Sequence, residues 1–147
     1  MPRPVTESRM LVSESIDNAK ILLCEDNPDN QRVISFILKK AGWKIDLAEN
    51  GQIALELVRN RSDDLILMDM QMPAMDGYET SRELRARGID LPVLAVTANA
   101  MSEDSGKCLE AGCDDYLSKP IDPTSLVRIV EKLMSDRREN PAAARSK

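Results

Sequence analysis

A chain of 147 residues falls in the size range of one domain and is long enough to bury a core. Its 31% charged and 42% hydrophobic residues are an ordinary globular composition, and the net charge of −5 argues against a general nucleic-acid binder, which needs a basic face. Aromatics at 3% offer no base-stacking platform, no apolar run reaches the length of a membrane span, and no signal pattern opens the chain, so a cytoplasmic protein is expected.

Residues 1–18 carry two prolines and mixed charges without a sustained period, and are expected to form a flexible tail. Lys20 to Cys24 reads as a short buried strand, followed at once by Glu25-Asp26-Asn27-Pro28. Asn27 or Asp29 can cap the next helix, with Pro28 tolerated in its first turn. Val33, Ile34, Ile37, Leu38 and Ala41 recur at helical spacing until Gly42. Trp43 to Ala48 alternates as a second strand, and Gly51 to Asn60 places Ile53, Ala54, Leu57 and Val58 on one helical face.

Leu65-Ile66-Leu67-Met68 is a continuous apolar run that ends in Asp69, the pattern of a strand buried on both faces. Pro73 and Asp76-Gly77 mark the loop that feeds a polar helix from Gly77 to Arg87. Leu91 to Val96 predicts a fourth strand ending in Thr97-Ala98-Asn99-Ala100, and a weaker helix spans roughly Met101 to Ala111. Asp115 to Ser118 is a fifth strand, Lys119-Pro120 follows, and a last helix runs from about Pro123 to Ser135. Strand and helix alternate with short connections, and right-handed crossovers then give a parallel sheet with helices on both faces. The expected fold is a flavodoxin-like, doubly wound α/β sheet in the order 2-1-3-4-5 over residues 19–136, with a second flexible tail at 137–147.

The three cysteines, Cys24, Cys108 and Cys113, lack metal-site spacing, and a chain without histidine argues against zinc. Absent histidine also removes most hydrolytic triads and histidine general bases. The chemistry left runs on carboxylates, a hydroxyl and a lysine. These gather at the carboxyl ends of the strands: Glu25 and Asp26 after the first, Asp69 ending the third, Thr97 after the fourth and Lys119 after the fifth. In the 2-1-3-4-5 order, strands one and three are neighbours at the topological switch point. Three carboxylates converging there would repel and raise a pKa. A hard divalent cation resolves that repulsion, and a few carboxylates with waters suit magnesium better than a calcium cage. Metal, lysine and hydroxyl on the oxygens, with a carboxylate nucleophile, are the equipment for handling a phosphoryl group. Singly, each residue has a plainer reading: a helix-capping acid pair, a strand-end hydroxyl, a solvated turn lysine.

The chain resembles the receiver domains of two-component response regulators over about Asn18 to Asp136. The matching stretches are Ile21-Leu22-Leu23-Cys24-Glu25-Asp26-Asn27, Met68-Asp69-Met70-Gln71-Met72-Pro73 with Met75-Asp76-Gly77, Thr97-Ala98-Asn99-Ala100-Met101, and Ala111-Gly112-Cys113-Asp114-Asp115-Tyr116-Leu117-Ser118-Lys119-Pro120. Their wording is most similar to receivers attached to hybrid sensor histidine kinases. The resemblance implies that Asp69 accepts a phosphoryl group from a phosphohistidine on a sensor kinase or histidine phosphotransfer protein. It implies a magnesium ion, for which manganese can substitute, held by Asp26, Asp69 and the backbone carbonyl of Gln71, with Glu25 acting mainly through water. Many receivers carry aspartate at the Glu25 position. Thr97 and Lys119 would contact the phosphoryl oxygens, Tyr116 would be the aromatic switch, and Lys119-Pro120 would be cis. Gln71 and Asn99 stand where the family tunes dephosphorylation.

The implied output surface is the fourth helix, fifth strand and fifth helix, with Glu103, Lys107, Glu110 and Arg128 as exposed candidates. The implied protein is a phosphoacceptor confined to its own phosphorylation and slow autodephosphorylation, a monomer or weak phosphorylation-dependent dimer acting on a downstream protein. It would be either a single-domain regulator or the receiver of a hybrid kinase. A pseudo-receiver that binds protein without phosphorylation is the main alternative. A haloacid-dehalogenase-type phosphatase would need a second aspartate two residues after Asp69, where Gln71 stands. No Gly-x-Gly-x-x-Gly follows the first strand, which sets a dinucleotide-binding protein aside.

Overall fold

The computed structural model describes residues 19–60, 63–72, 75–98 and 102–139; both expected tails therefore lie outside the described residues, except for 137–139. Five strands and five helices alternate: β1 (Lys20–Cys24), α1 (Pro28–Lys40), β2 (Lys44–Ala48), α2 (Gly51–Asn60), β3 (Leu65–Asp69), α3 (Gly77–Ala86), β4 (Val93–Thr97), α4 (Ser102–Glu110), β5 (Asp115–Ser118) and α5 (Pro123–Glu139). The strands form one parallel sheet in the order β2-β1-β3-β4-β5. This is the flavodoxin-like arrangement expected from the sequence.

Side chains alternate across the sheet because successive Cβ atoms of a strand point to opposite faces. Ile21, Leu23, Leu65, Leu67, Leu94 and Val96 pack on one face with Ile34 and Leu38 of α1 and Leu126 and Val130 of α5. Leu22, Cys24, Ile66, Met68, Val93 and Ala95 pack on the other with Ala54 and Val58 of α2, Leu84 of α3 and Cys108 of α4. Covered on both sides, β3 and β4 are buried at every residue.

Several boundaries differ from the periodic reading for local reasons. Strand β4 starts at Val93 because Pro92 has no N–H to give a ladder, and the Val93 N–H is taken by Asp114 Oδ2 at 2.8 Å. Strand β2 starts at Lys44 because the Trp43 N–H closes the turn after α1, donating to Leu38 O at 3.2 Å. Helix α5 continues to Glu139. Of the five apolar residues that recur at helical spacing in and just after α1, Ile34 and Leu38 are buried, whereas Val33 is 56% exposed, as is Phe36 at 67%.

Candidate functional site

The ladder steps the strand ends into line. Cys24 pairs with Met68, Asp69 with Val96 and Thr97 with Ser118, so the residues at and just beyond each strand's carboxyl end share one edge. Helix starts then fix the flanking loops. Asn27 caps α1 by accepting from the N–H groups of Asp29 at 2.8 Å and Asn30 at 3.2 Å. Asp76 caps α3 in a capping box with Glu79. Gly77 is held against the end of β3 so closely that an added Cβ would lie 2.5 Å from Met70 Sδ and 2.6 Å from the Asp69 carbonyl. A side chain at position 77 would have to displace Met70 or the end of β3.

Glu25, Asp26 and Asp69 each place a carboxylate oxygen within 4.8 Å of the others. Glu25 and Asp69 are buried, and Asp26 is exposed. Glu25 Oε2 accepts from Asn27 N at 3.1 Å and Asn30 Nδ2 at 3.4 Å, while Gln31 Nε2 donates to the Glu25 carbonyl at 2.7 Å. Oε1 of Glu25 is buried without a hydrogen-bond partner among the described residues. Burial, and then the Asp69 charge, push the Glu25 carboxyl above the usual carboxylate range. The same two influences, with Glu25 and Asp26 adding to them, push the Cys24 thiol up to about 12.

Asp69 is held through Oδ1, which accepts from Gln71 N at 3.1 Å and from Lys119 Nζ at 3.5 Å; Oδ2 takes part in neither contact. Lys119 is positioned by its backbone, its N–H donating to Thr97 O at 2.8 Å, and the Lys119-Pro120 peptide is cis, as expected. Thr97 is buried at the end of β4. Tyr116, half-buried opposite Ala95 on β5, packs on the cluster containing Met68 and Cys108. The Gln71 side chain reaches the next loop, its Oε1 accepting from Ala98 N at 3.1 Å.

Glu25, Asp26, Asp69, Lys119 and Thr97 thus stand on one edge, and the fold puts Tyr116 on β5, two strands from Asp69 with β4 between them. Asn99 lies outside the described residues, and Glu103 outside those with described side chains; Lys107, Glu110 and Arg128 are exposed. Periodicity could not single out Asn30 and Gln31, which occupy ordinary polar positions of α1, nor the bridge from Gln71 to Ala98.

The model of the response regulator receiver domain matches residues 21–131. The chain belongs to the response regulator receiver family. It is 40% identical over 121 residues to hybrid signal transduction histidine kinase M of Dictyostelium discoideum, covering 78% of this chain but only 5% of that much longer protein. Among solved structures, it is similar to the receiver domain of a Pseudomonas aeruginosa sensor histidine kinase crystallised with magnesium in its active-site cleft. There the TM-score is 0.74 at 41% identity, covering 80% of this chain and 98% of the other. The receiver of a Saccharomyces cerevisiae response regulator, co-crystallised with a histidine phosphotransfer protein, matches with TM-score 0.77 at 28% identity over 82% of this chain and 91% of that one.

The receiver's acidic cluster fits a hard divalent cation. Its donors are all oxygens, and the buried Glu25 Oε1 has acceptor capacity that no group among the described residues uses.

Proposed function

We propose that this receiver accepts a phosphoryl group on Asp69 from a phosphohistidine carried by a sensor kinase or phosphotransfer protein. The observation that carries this reading is the convergence of Glu25, Asp26 and Asp69 on one edge, with Lys119 bonded to Asp69 Oδ1. Oδ1 is engaged by Gln71 N and Lys119, which makes Oδ2 the attacking oxygen. It forms the new bond to phosphorus as the P–N bond to the donor imidazole breaks. Lys119 and the Thr97 hydroxyl supply positive charge and a neutral donor for the transferring oxygens, and electrostatic positioning of this kind is the larger part of phosphoryl-transfer catalysis. Magnesium, held by Asp26, Asp69 and the Gln71 carbonyl, with Glu25 through water, would neutralise charge on the phosphoryl oxygens; manganese would serve the same role.

Phosphorylation adds charge and acceptor oxygens, which bias Thr97 and Tyr116 toward a second arrangement and alter the α4-β5-α5 surface read by a downstream protein. The unit responsible is taken as residues 19–136, acting in the cytoplasm as a single-domain regulator or as part of a hybrid kinase, with at most a weak phosphorylation-dependent dimer.

Mass spectrometry after incubation with phosphoramidate, with and without magnesium, tests this. Wild type should gain one phosphoryl group only with magnesium, and Asp69→Asn should gain none. A folded wild-type protein that stays unmodified would point to a protein-binding pseudo-receiver.

A further inference from the structure

The chain after β3 is joined once to β4 and once to the residue that follows it. Val96 O accepts from Met70 N at 2.9 Å, the end of the ladder, and one step on Gln71 Oε1 accepts from Ala98 N at 3.1 Å. The second contact lies outside the sheet. It ties a side chain two residues from the phosphoacceptor to a backbone donor one residue after Thr97, at the start of the loop leading to α4. Gln71 is also anchored from the other side, since its own N–H donates to Asp69 Oδ1 at 3.1 Å. One residue therefore spans from the Asp69 carboxylate to the β4–α4 loop.

We propose that the Gln71 carboxamide is a placeholder for the phosphoryl group: its Oε1 occupies the Ala98 N–H until a phosphoryl oxygen on Asp69 displaces it. This rests on the receiver reading above. A phosphorylated carboxylate brings three strong acceptor oxygens to an edge where an amide oxygen, a weaker acceptor, holds the donor. Once displaced, the carboxamide no longer ties Ala98 to the chain after β3, so loss of this one bond registers acceptor chemistry at the residue that follows Thr97. The bond also opposes phosphorylation, because it must break before Ala98 can serve the incoming group. In the test reaction with phosphoramidate, whose nitrogen is already protonated, Asp69 Oδ2 bonds to phosphorus, the P–N bond breaks and ammonia leaves with the bonding pair.

Gln71→Met keeps side-chain length and the backbone carbonyl but removes the acceptor. Two readouts are needed: amide hydrogen exchange at Ala98, and the magnesium-dependent rate of phosphorylation by phosphoramidate. Unphosphorylated Gln71→Met should exchange the Ala98 amide about two- to tenfold faster than wild type, the range that one net hydrogen bond spans, and should be phosphorylated faster by a similar factor. In the phosphorylated proteins the Ala98 amide should be equally protected with either side chain, and Gln71→Glu, which retains an acceptor oxygen, should restore protection before phosphorylation. Equal exchange in unphosphorylated wild type and Gln71→Met, an unchanged phosphorylation rate, or protection in the phosphoproteins that still depends on residue 71 would each overturn the proposal. Wild type that gains no phosphoryl group would overturn the receiver reading and the displacement together, which separates that failure from failure of the placeholder alone.

Discussion

At Glu25 the demands of the site and of the fold oppose each other. The carboxyl is buried beside Asp69, one oxygen is bonded and the other is not, and its folded pKa is raised by burial first and by the Asp69 charge second. A carboxyl whose folded pKa lies above its unfolded value favours the fold when protonated. In the metal-free protein the contribution of Glu25 should therefore be fully present below the ordinary glutamate value of ~4.3, and should be lost as pH rises through the folded pKa. Glu25→Gln removes the titration. In chelator, the variant should melt higher than wild type at pH 7, by about 4 °C per kcal/mol of repulsion relieved, and the gap should close toward pH 4. Added magnesium should stabilise wild type more than the variant. Equal melting curves across the pH range would show that Glu25 is not held at a cost. Next to it, Cys24 is a buried thiol pushed up to about 12, so native protein should leave Cys24 unalkylated by iodoacetamide at neutral pH while unfolded protein reacts.

Between elements, the connections carry polar contacts that hold the edges of the sheet together. Arg85 near the end of α3 donates to Gly112 O at 3.0 Å, Ile89 O at 2.8 Å and Asp114 Oδ2 at 3.0 Å. It thereby joins α3 to the turn between α4 and β5. Gly112 adopts φ 103, and a Cβ there would lie 2.6 Å from Arg85 Cγ, so backbone conformation and contact both require glycine. Arg85→Ala leaves two carbonyls and a mostly buried carboxylate without this donor. Urea unfolding should show a loss of about 2–3 kcal/mol. At the opposite edge, Gly77→Ala forces Met70 or the Asp69 carbonyl to move, and should cost about 1–3 kcal/mol with slower phosphorylation by phosphoramidate. A variant as stable and as reactive as wild type would show that the loop adjusts freely.

For the whole molecule, the proposed reaction needs a protein donor to approach the edge that carries Asp69. Helix α1 starts there, directly after Glu25-Asp26-Asn27, and exposes Val33 and Phe36. Beside them, a groove of about 620 Å³ between α1 and α5 is lined by Phe36, Ile37, Lys40, Val127 and Arg128. An exposed apolar face on the helix that begins at this edge is available to a phosphohistidine protein that docks there. Phe36→Asp should slow transfer from such a protein by about tenfold or more while leaving phosphorylation by phosphoramidate unchanged. Equal slowing with both donors would place the defect in the site rather than in docking.

The sequence by itself determined the elements, their order and the residues that meet at the site. Unbroken apolar strands ending in Asp69 and in Thr97 imply burial on both faces, and the alternation of strand and helix leaves few ways to connect them. Glu25, Asp26, Asp69 and Lys119 were legible because each is polar where the strand pattern stops. Asn27, Asp76 and Gly77 followed from turn chemistry, which is local. Only the tertiary structure decided which oxygen of Glu25 lacks a partner, that Gln71 reaches Ala98, that Arg85 joins three segments, and that Val33 and Phe36 face outward. These depend on residues far apart in the chain, brought together by sheet register and helix rotation. Helical periodicity marks an apolar stripe, but how much of that stripe is covered depends on the element packed against it.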